Sequence, residues 1–321
     1  MMNGTIISKR HLQSLIIISI SLFTLIVHKY LYSIPENWQW IFFGVTMMLT
    51  GLPHGAFDYL VAKHQAKKDH KIFSISRFYS NYLISMIAYA IGWYLFPIAS
   101  LMVFLLLSAY HFGESDLIYN STERKIFKEL HKLIHGGSIL LVLITSNPET
   151  TIPIIDNIIN YDNSSAVFYQ VKPYTYSLCV VNSLIALVFY NSNKINTIYY
   201  LATYLIIILT ISFLPLPLGF ALYFSCWHAI NTINDITYFL TNEYGQKKQL
   251  WNIIKNGAPF ILLTWFGIVF VLFTLLQSNQ PHNILSILFI SISILTLPHV
   301  GVMSSMLNRI FENKLTNTID H

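Results

Sequence analysis

The strongest constraint on the fold of this chain is a series of apolar runs long enough to cross a lipid bilayer. A membrane-spanning helix needs roughly 20 predominantly apolar residues, and such runs recur along the whole sequence. Only 10% of the residues are charged, whereas soluble domains carry about 25%. We therefore predict an all-α, polytopic integral membrane helical bundle that forms a single transmembrane domain over residues 1–321.

The apolar runs predict about ten transmembrane helices, within a range of eight to ten. The first run follows Lys9 and Arg10, as in a signal peptide, but the stretch "HKYLYSIPENW" after it has no small-residue cleavage site. We therefore predict that the first helix is retained. The polar, mildly acidic segment 147–173 is predicted to be a long loop. The predicted helices cover roughly residues 13–32, 38–61, 78–96, 98–118, 127–146, 174–191, 196–215, 217–240, 258–277 and 283–306.

The basic residues predict how these helices are oriented. If the N-terminus is cytoplasmic, 17 of the 19 Lys and Arg residues fall on the cytoplasmic side, and only Lys29 and Lys172 fall outside. Cytoplasmic loops of membrane proteins carry such an excess of basic residues. We predict a multi-pass protein of the cell inner (plasma) membrane with both termini cytoplasmic. The net charge of +5 then reports topology, and no nucleic-acid partner is expected.

Four histidines lie deep inside predicted apolar helices: His54, His111, His228 and His299. Their helices, the second, fourth, eighth and tenth, all run in the same direction. The histidines follow the helix starts by similar numbers of residues, which places them near one level of the bundle. Each one alone could simply form a hydrogen bond between helices, but four at one level predict a metal site. Imidazole suits iron, copper, zinc or nickel.

Three carboxylates follow three of these histidines at helical spacing. Asp58 is four residues after the first histidine, Glu114 is three after the second, and Asp235 is seven after the third. These offsets put each acid on the face of its histidine. A metal-bound histidine commonly donates its other N–H to a carboxylate, so the acids are candidates for that role. The alternative is that they are solvated at the membrane interface. His299 has no acid at such an offset.

Aromatic residues surround the histidines in the sequence and are candidates to line a groove for a long apolar substrate. The alternative is that they pack or anchor the helices, as most aromatic residues in membrane helices do. Prolines directly precede two of the histidines, where they free backbone carbonyls. The candidate lining residues are Phe57, Tyr110, Phe112, Tyr223 and Trp227, with Phe224 in the same group, and the prolines are Pro53 and Pro298.

The stretches "PHGAFD", "YHFGESD", "CWHAINTIND" and "TLPHVGVM" resemble, in this order, motifs of the Brp/Blh family of membrane β-carotene 15,15′-dioxygenases. The resemblance extends over the second to tenth helices. It implies an Fe²⁺ enzyme that cleaves β-carotene or a related carotenoid at the central 15,15′ double bond with O₂, giving two molecules of all-trans-retinal. Such a product typically serves a microbial rhodopsin, and the lipid bilayer surrounds the enzyme.

The resemblance also assigns the metal ligands. His54, His111 and His228 match histidines proposed as iron ligands in the family, and no catalytic residue beyond the ligands is implied. Thr232 stands where the family usually has a further histidine. We therefore expect His299 to complete the ligand set, the alternative being a site of three histidines. His135, in "HGG", stands where the family has an Arg-Gly pair.

Other functions remain open at this point. A di-iron desaturase or hydroxylase, or another membrane oxygenase that acts on lipids through a histidine-bound metal, is one alternative. Such di-iron enzymes need around eight histidines in HxxxH-type motifs, and the "HKLIH" stretch from His131 to His135, at the start of the fifth helix, is the one such pair. A non-catalytic carotenoid or retinal carrier is another, and Thr232 favours it. A carrier needs no iron, so the iron content discriminates.

Overall fold

The computed structural model describes residues 2–117, 125–159, 164–189, 194–241, 247–277 and 284–319. Within these ranges every regular element is helical and no strand occurs, which confirms the predicted all-α class. The first residue and the last two lie outside this part of the chain. The cytoplasmic placement of both termini stays a prediction, because candidate spans are defined by length and composition only.

The described residues form a series of helices, some of which are interrupted by π-helical or 3₁₀ turns. The α-helices are α1 (Met2–Ile26), α2 (Glu36–Thr46), α3 (Asp58–Lys68), α4 (Ile75–Leu95), α5 (Pro97–Asp116), α6 (Lys125–Thr145), α7 (Pro148–Ile159), α8 (Ser164–Phe189), α9 (Lys194–Phe213), α10 (Leu216–Phe220), α11 (Ala229–Thr241), α12 (Lys247–Gln277) and α13 (Ile284–Ile319). The π-helical segments are Val27–Leu31, Met47–Gly51 and Ala221–His228, and a 3₁₀ turn covers Pro53–Phe57.

By length and composition, six helical stretches in the described residues could cross a membrane. The number rises to seven if α6 and α7, which meet at a bend of 102°, form one span. The apolar helix Thr197–Phe213 is shorter than the others. The six stretches are Ser14–Leu31, Glu36–Lys68, Pro97–Asp116, Ser164–Val188, Trp251–Val271 and Ile284–Ile310.

Helix length and composition give fewer spans than the ten that were predicted. Helix α4 and the helix that runs from Leu216 to Thr241 are not among the candidates. The latter carries His228, Asn231 and Asp235, all of which are buried inside the protein. Polar side chains that face the interior lower the mean hydropathy of a helix without exposing charge to lipid. The number of spans therefore stays a prediction.

The segment 147–173 was predicted to be a loop, and this is wrong. Residues Pro148–Ile159 form α7, and α8 begins at Ser164. The isoleucines of α7 pack against aromatic and aliphatic side chains of α4, α5 and α13, and Ile158 is buried there. The composition of the segment is polar, but its isoleucines lie at helical spacing and burying them stabilises a helix.

Helices α5 and α6 approach one another closely through two glycines. A Cβ atom on Gly136 would overlap the backbone of Ala109, and a Cβ atom on Gly113 would overlap the backbone of Lys132. Small residues at such crossings let membrane helices pack backbone to backbone. His111 lies on α5 between the two contact points, so this crossing fixes the position of one of the four histidines.

The helix segments that carry two other histidines depart from α geometry. His54 lies in the 3₁₀ turn after the π-helical segment Met47–Gly51, and His228 ends the π-helical segment Ala221–His228. The two segments contact one another through a hydrogen bond of 2.9 Å from the Thr50 hydroxyl to the carbonyl oxygen of Ser225. Single π turns inside helices are frequent at functional sites, where they re-aim side chains.

Candidate metal centre

The imidazole rings of the four deep histidines meet in the interior of the bundle. Neighbouring ring centroids lie 5.6 Å apart for His54 and His228, 4.9 Å for His228 and His111, 5.1 Å for His111 and His299, and 4.8 Å for His299 and His54. The rings therefore form a closed cycle in which each one faces two others edge-on. The argument from matched helix depth predicted that these side chains would meet.

The nitrogen atoms of this cluster are buried and largely without hydrogen bonds. All four side chains are buried. His54 Nδ1, both ring nitrogens of His111, and the Nε2 atoms of His228 and His299 have no hydrogen-bond partner. Buried polar atoms are normally paired, so several unpaired nitrogens that converge on one point fit a bound cation. Three of the histidines, His54, His111 and His299, place one nitrogen each within 4.8 Å of one another.

Asp58 holds His299. The Nδ1 atom of His299 lies 2.8 Å and 3.1 Å from the two carboxylate oxygens of Asp58, and the Tyr82 hydroxyl donates to the same carboxylate at 2.9 Å. An ionised carboxylate only accepts hydrogen bonds, so Nδ1 carries the proton and Nε2 keeps its lone pair for a metal. The helical offset pointed to His54 as the partner of Asp58, and the structure assigns it to His299, on α13, instead.

Ser115 holds His228. The Oγ atom of Ser115 lies 2.9 Å from Nδ1 of His228 and donates to the carbonyl of Phe112 at 3.1 Å. A hydroxyl has one proton. When Ser115 donates it in the hydrogen bond to the Phe112 carbonyl, its Oγ atom accepts a hydrogen bond from Nδ1–H of His228. The Nε2 atom of His228 then carries the lone pair. The sequence did not identify Ser115 as a partner of a histidine, although this residue lies inside the "YHFGESD" motif.

Asp116 joins this site to a second buried polar group. Its carboxylate accepts from the Tyr223 hydroxyl at 3.1 Å and lies 3.4 Å from Nε2 of His135. The other ring nitrogen of His135, Nδ1, lies 2.7 Å from the Tyr200 hydroxyl. The "HKLIH" histidines were placed at a helix entrance, and this is wrong: His131 and His135 are both buried within α6. The close packing of α6 on α5 removes them from water.

Of the other two candidate acids, Glu114 bonds groups other than the four histidines. Glu114 is fully buried, and its partners are Ser304, Tyr110 and Lys132, whose Nζ lies 3.5 Å from the carboxylate. The carboxylate is thus turned toward α6 and α13 and away from the ring of His111, and a buried lysine balances its charge. Asp235 is buried on α11.

The candidate lining residues divide into two groups. Phe112 lies against the histidines, with its ring centroid 4.9 Å from that of His228, and Phe224 stacks on His228 at 5.6 Å. Tyr223 contacts Phe112 at 5.2 Å and, with Trp227, lines a narrow crevice of about 10 Å³ beside α1 and α9. Phe57 packs in a separate apolar core of α3, α11, α12 and α13. Tyr110 is bound to Glu129 and lies beside Lys132.

Thr232 is turned toward the backbone. Its hydroxyl donates to the carbonyl of His228 at 2.9 Å, and the side chain is buried. Thr232 therefore bonds the main chain one turn after His228, and His299 is the fourth member of the ring cycle.

Comparisons with known proteins identify the family of the chain. A curated protein of the uncultured marine bacterium 66A03, named Beta-carotene 15,15'-dioxygenase, is 34% identical over 106 residues, which are 32% of this chain and 38% of that protein. The chain thus matches little more than a third of the length of this relative. No solved structure matches the chain. A family model described as Beta-carotene 15,15'-dioxygenase matches residues 45–307, a range that contains all four histidines, and the chain therefore belongs to this family.

Proposed function

We propose that this protein cleaves the central 15,15′ double bond of β-carotene with O₂. One molecule of β-carotene and one of O₂ give two molecules of all-trans-retinal, so each oxygen atom ends in one aldehyde and no other reactant is needed. The observation that carries the proposal is the cycle of four buried imidazoles, each of which has at least one ring nitrogen without a hydrogen-bond partner. Family membership supports the choice of substrate.

The histidine cluster fits a metal ion, and Fe²⁺ is the proposed one. His54, His111, His228 and His299 would hold it, since neutral imidazole is a good ligand for iron. A bound ferrous ion supplies the redox chemistry that lets ground-state O₂ react with a polyene.

The residues around the histidines prepare this site. Asp58 and Ser115 accept hydrogen bonds from the Nδ1–H groups of His299 and His228, so that the Nε2 atoms keep free lone pairs for a metal. The rings of Phe112 and Phe224 cover His228 and exclude water from it. An apolar, dry surrounding of this kind also suits a polyene, which has no polar group to be recognised.

Expression in a bacterial host that accumulates β-carotene tests the proposal. We expect the orange colour to fade and all-trans-retinal to appear in extracts analysed by chromatography. His299→Ala and His54→Ala should abolish retinal formation and lose bound iron to the same extent, as measured by metal analysis of the purified protein. His70→Ala, at a loop position outside the cluster, is the matched control and should keep both.

Three outcomes would contradict the proposal in different ways. Retinal absent together with bound, uncleaved β-carotene and no iron would identify a carotenoid carrier. Full iron occupancy in His299→Ala would leave three histidines as the ligand set. A product of another chain length would move the cleavage away from the 15,15′ bond. Delivery of the retinal to a microbial rhodopsin, and a multi-pass location in the inner membrane, belong to the same proposal.

A further inference from the structure

A cavity of about 580 Å³ lies outside the histidine site, between α3, α11 and α12. One face of α3 forms its first wall, with residues that recur at helical spacing. The ends of α11 and α12 form the opposite wall. The lining residues are Leu60, Lys63, His64, Lys67, Lys71, Phe73, Leu240, Thr241, Asn252, Ile253 and Asn256.

The charge of this cavity is entirely positive among the residues that line it. Lys63 and Lys67 form no ion pair within the described part of the chain, and Lys71 lies 3.6 Å from Asp69. Asp69 itself is bound by Arg309 through two hydrogen bonds of 2.6 and 2.8 Å. These hydrogen bonds lower the pKa of Asp69 to about 2. Asp69 is thus already paired with Arg309, and among the described residues Lys63 and Lys67 are left for an external anion.

The rest of the lining combines apolar surface with hydrogen-bonding groups. Leu60, Phe73 and Ile253 supply an apolar wall, and the asparagines of α12 supply amide donors. His64 Nε2 is buried and has no hydrogen-bond partner. An anionic group near the lysines, joined to an apolar body, would satisfy both parts of this lining.

The position of the cavity identifies the source of such a molecule. Lys68 ends one candidate membrane-spanning stretch, Glu36–Lys68, and Trp251 begins another, Trp251–Val271. The cavity lies where these two ends meet, which is the level of the lipid headgroups. Basic pockets between helices at this level bind anionic headgroups.

We propose that this cavity binds an anionic phospholipid, with its phosphate at Lys63, Lys67 and His64 and an acyl chain against Leu60, Phe73 and Ile253. Two lysines near a lipid phosphate together favour binding by about 10- to 30-fold. The cavity is separate from the four histidines of the candidate metal centre, and lipid binding needs neither iron nor a carotenoid. The proposal can therefore be tested independently of the dioxygenase activity.

Lipid binding to the purified full-length protein tests the proposal. Native mass spectrometry in detergent with added phosphatidylglycerol or phosphatidylcholine should show a preference for phosphatidylglycerol. The double variant Lys63→Gln/Lys67→Gln should reduce binding of phosphatidylglycerol about 10- to 30-fold. The control Lys68→Gln/Lys255→Gln removes the same charge from the same two-helix region without touching the cavity lining and should bind as the unchanged protein does.

Several results would overturn it. Equal binding of the two lipids, or an equal loss in both double variants, would mean that the lysines act only as a diffuse positive surface. Displacement of the lipid by millimolar glycerol phosphate would identify a site for a soluble phosphate ester. Unfolding midpoints of the two variants, measured in the same detergent, show whether either change acts through stability alone.

Discussion

An imidazole presents one nitrogen to a metal, and the group bonded to its other nitrogen fixes which one. In this protein Asp58 and Ser115 perform that role for two of the four histidines, and both reach their histidine from another helix. The carboxylate of Asp58 is held in turn by Tyr82. At the scale of single residues, the capacity to bind a metal thus depends on side chains that are not ligands.

Ser115→Ala should weaken metal binding while leaving the fold intact. The change removes the partner of His228 Nδ1, and loss of such a partner typically costs 10- to 100-fold in metal affinity. Thr232→Ala is the matched control, because its hydroxyl bonds only the backbone carbonyl of His228. Iron retained during titration with a chelator measures the difference. An equal loss of iron in both variants would assign the effect to helix packing. Full retention of iron in Ser115→Ala would show that Ser115 does not support metal binding through His228.

The sequence predicted which histidines meet but not which groups support them. Helix depth was enough to bring His54, His111, His228 and His299 to one level, because depth depends only on residue count along each helix. The pairing of Asp58 with His299 depends on how α13 packs against α3. No local spacing carries that information, so the neighbour on the same helix was chosen instead.

At the scale of elements, the crossing of α5 and α6 holds the site together. Gly136→Ala should separate these helices, because its Cβ would overlap the backbone of Ala109. Overpacking typically costs about 1–3 kcal/mol, and a clash with backbone falls at the upper end. Gly137→Ala is the matched control, since its nearest neighbours would lie at 3.8 and 3.9 Å. Thermal unfolding in detergent should show a lower midpoint for Gly136→Ala only, and an unchanged midpoint would contradict the close crossing.

The comparison of elements also shows which helices the sequence patterns predicted and which they did not. Long apolar runs predicted helices well, since burial of apolar surface and internal backbone hydrogen bonds both demand them in a membrane. Helix α7 was missed because its polar residues hid isoleucines that are buried only by α4, α5 and α13. The π-helical segments Met47–Gly51 and Ala221–His228 were missed because no residue preference marks a π turn.

At the scale of the whole molecule, the number of membrane crossings decides on which side of the membrane each connecting segment lies. Length and composition give six or seven candidate spans, whereas the apolar runs and the positive-inside pattern predict ten. The difference rests on helices such as α4 and α10–α11, whose polar residues lower their hydropathy. If α4 does not cross, every later segment changes side relative to the ten-span arrangement.

Two exposed positions that flank α4 distinguish these arrangements. In the ten-span topology Ile72 follows two crossings and Phe96 follows three, so they lie on opposite sides, with Phe96 outside. Ile72 is 99% exposed and Phe96 is 64% exposed, so cysteines there should react freely. In a background in which Cys179 and Cys226 are replaced by alanine, an impermeant thiol reagent added to intact cells should label Phe96→Cys and leave Ile72→Cys unlabelled until the cells are opened. Labelling of both from outside, or of neither, would place them on one side and exclude α4 as a span.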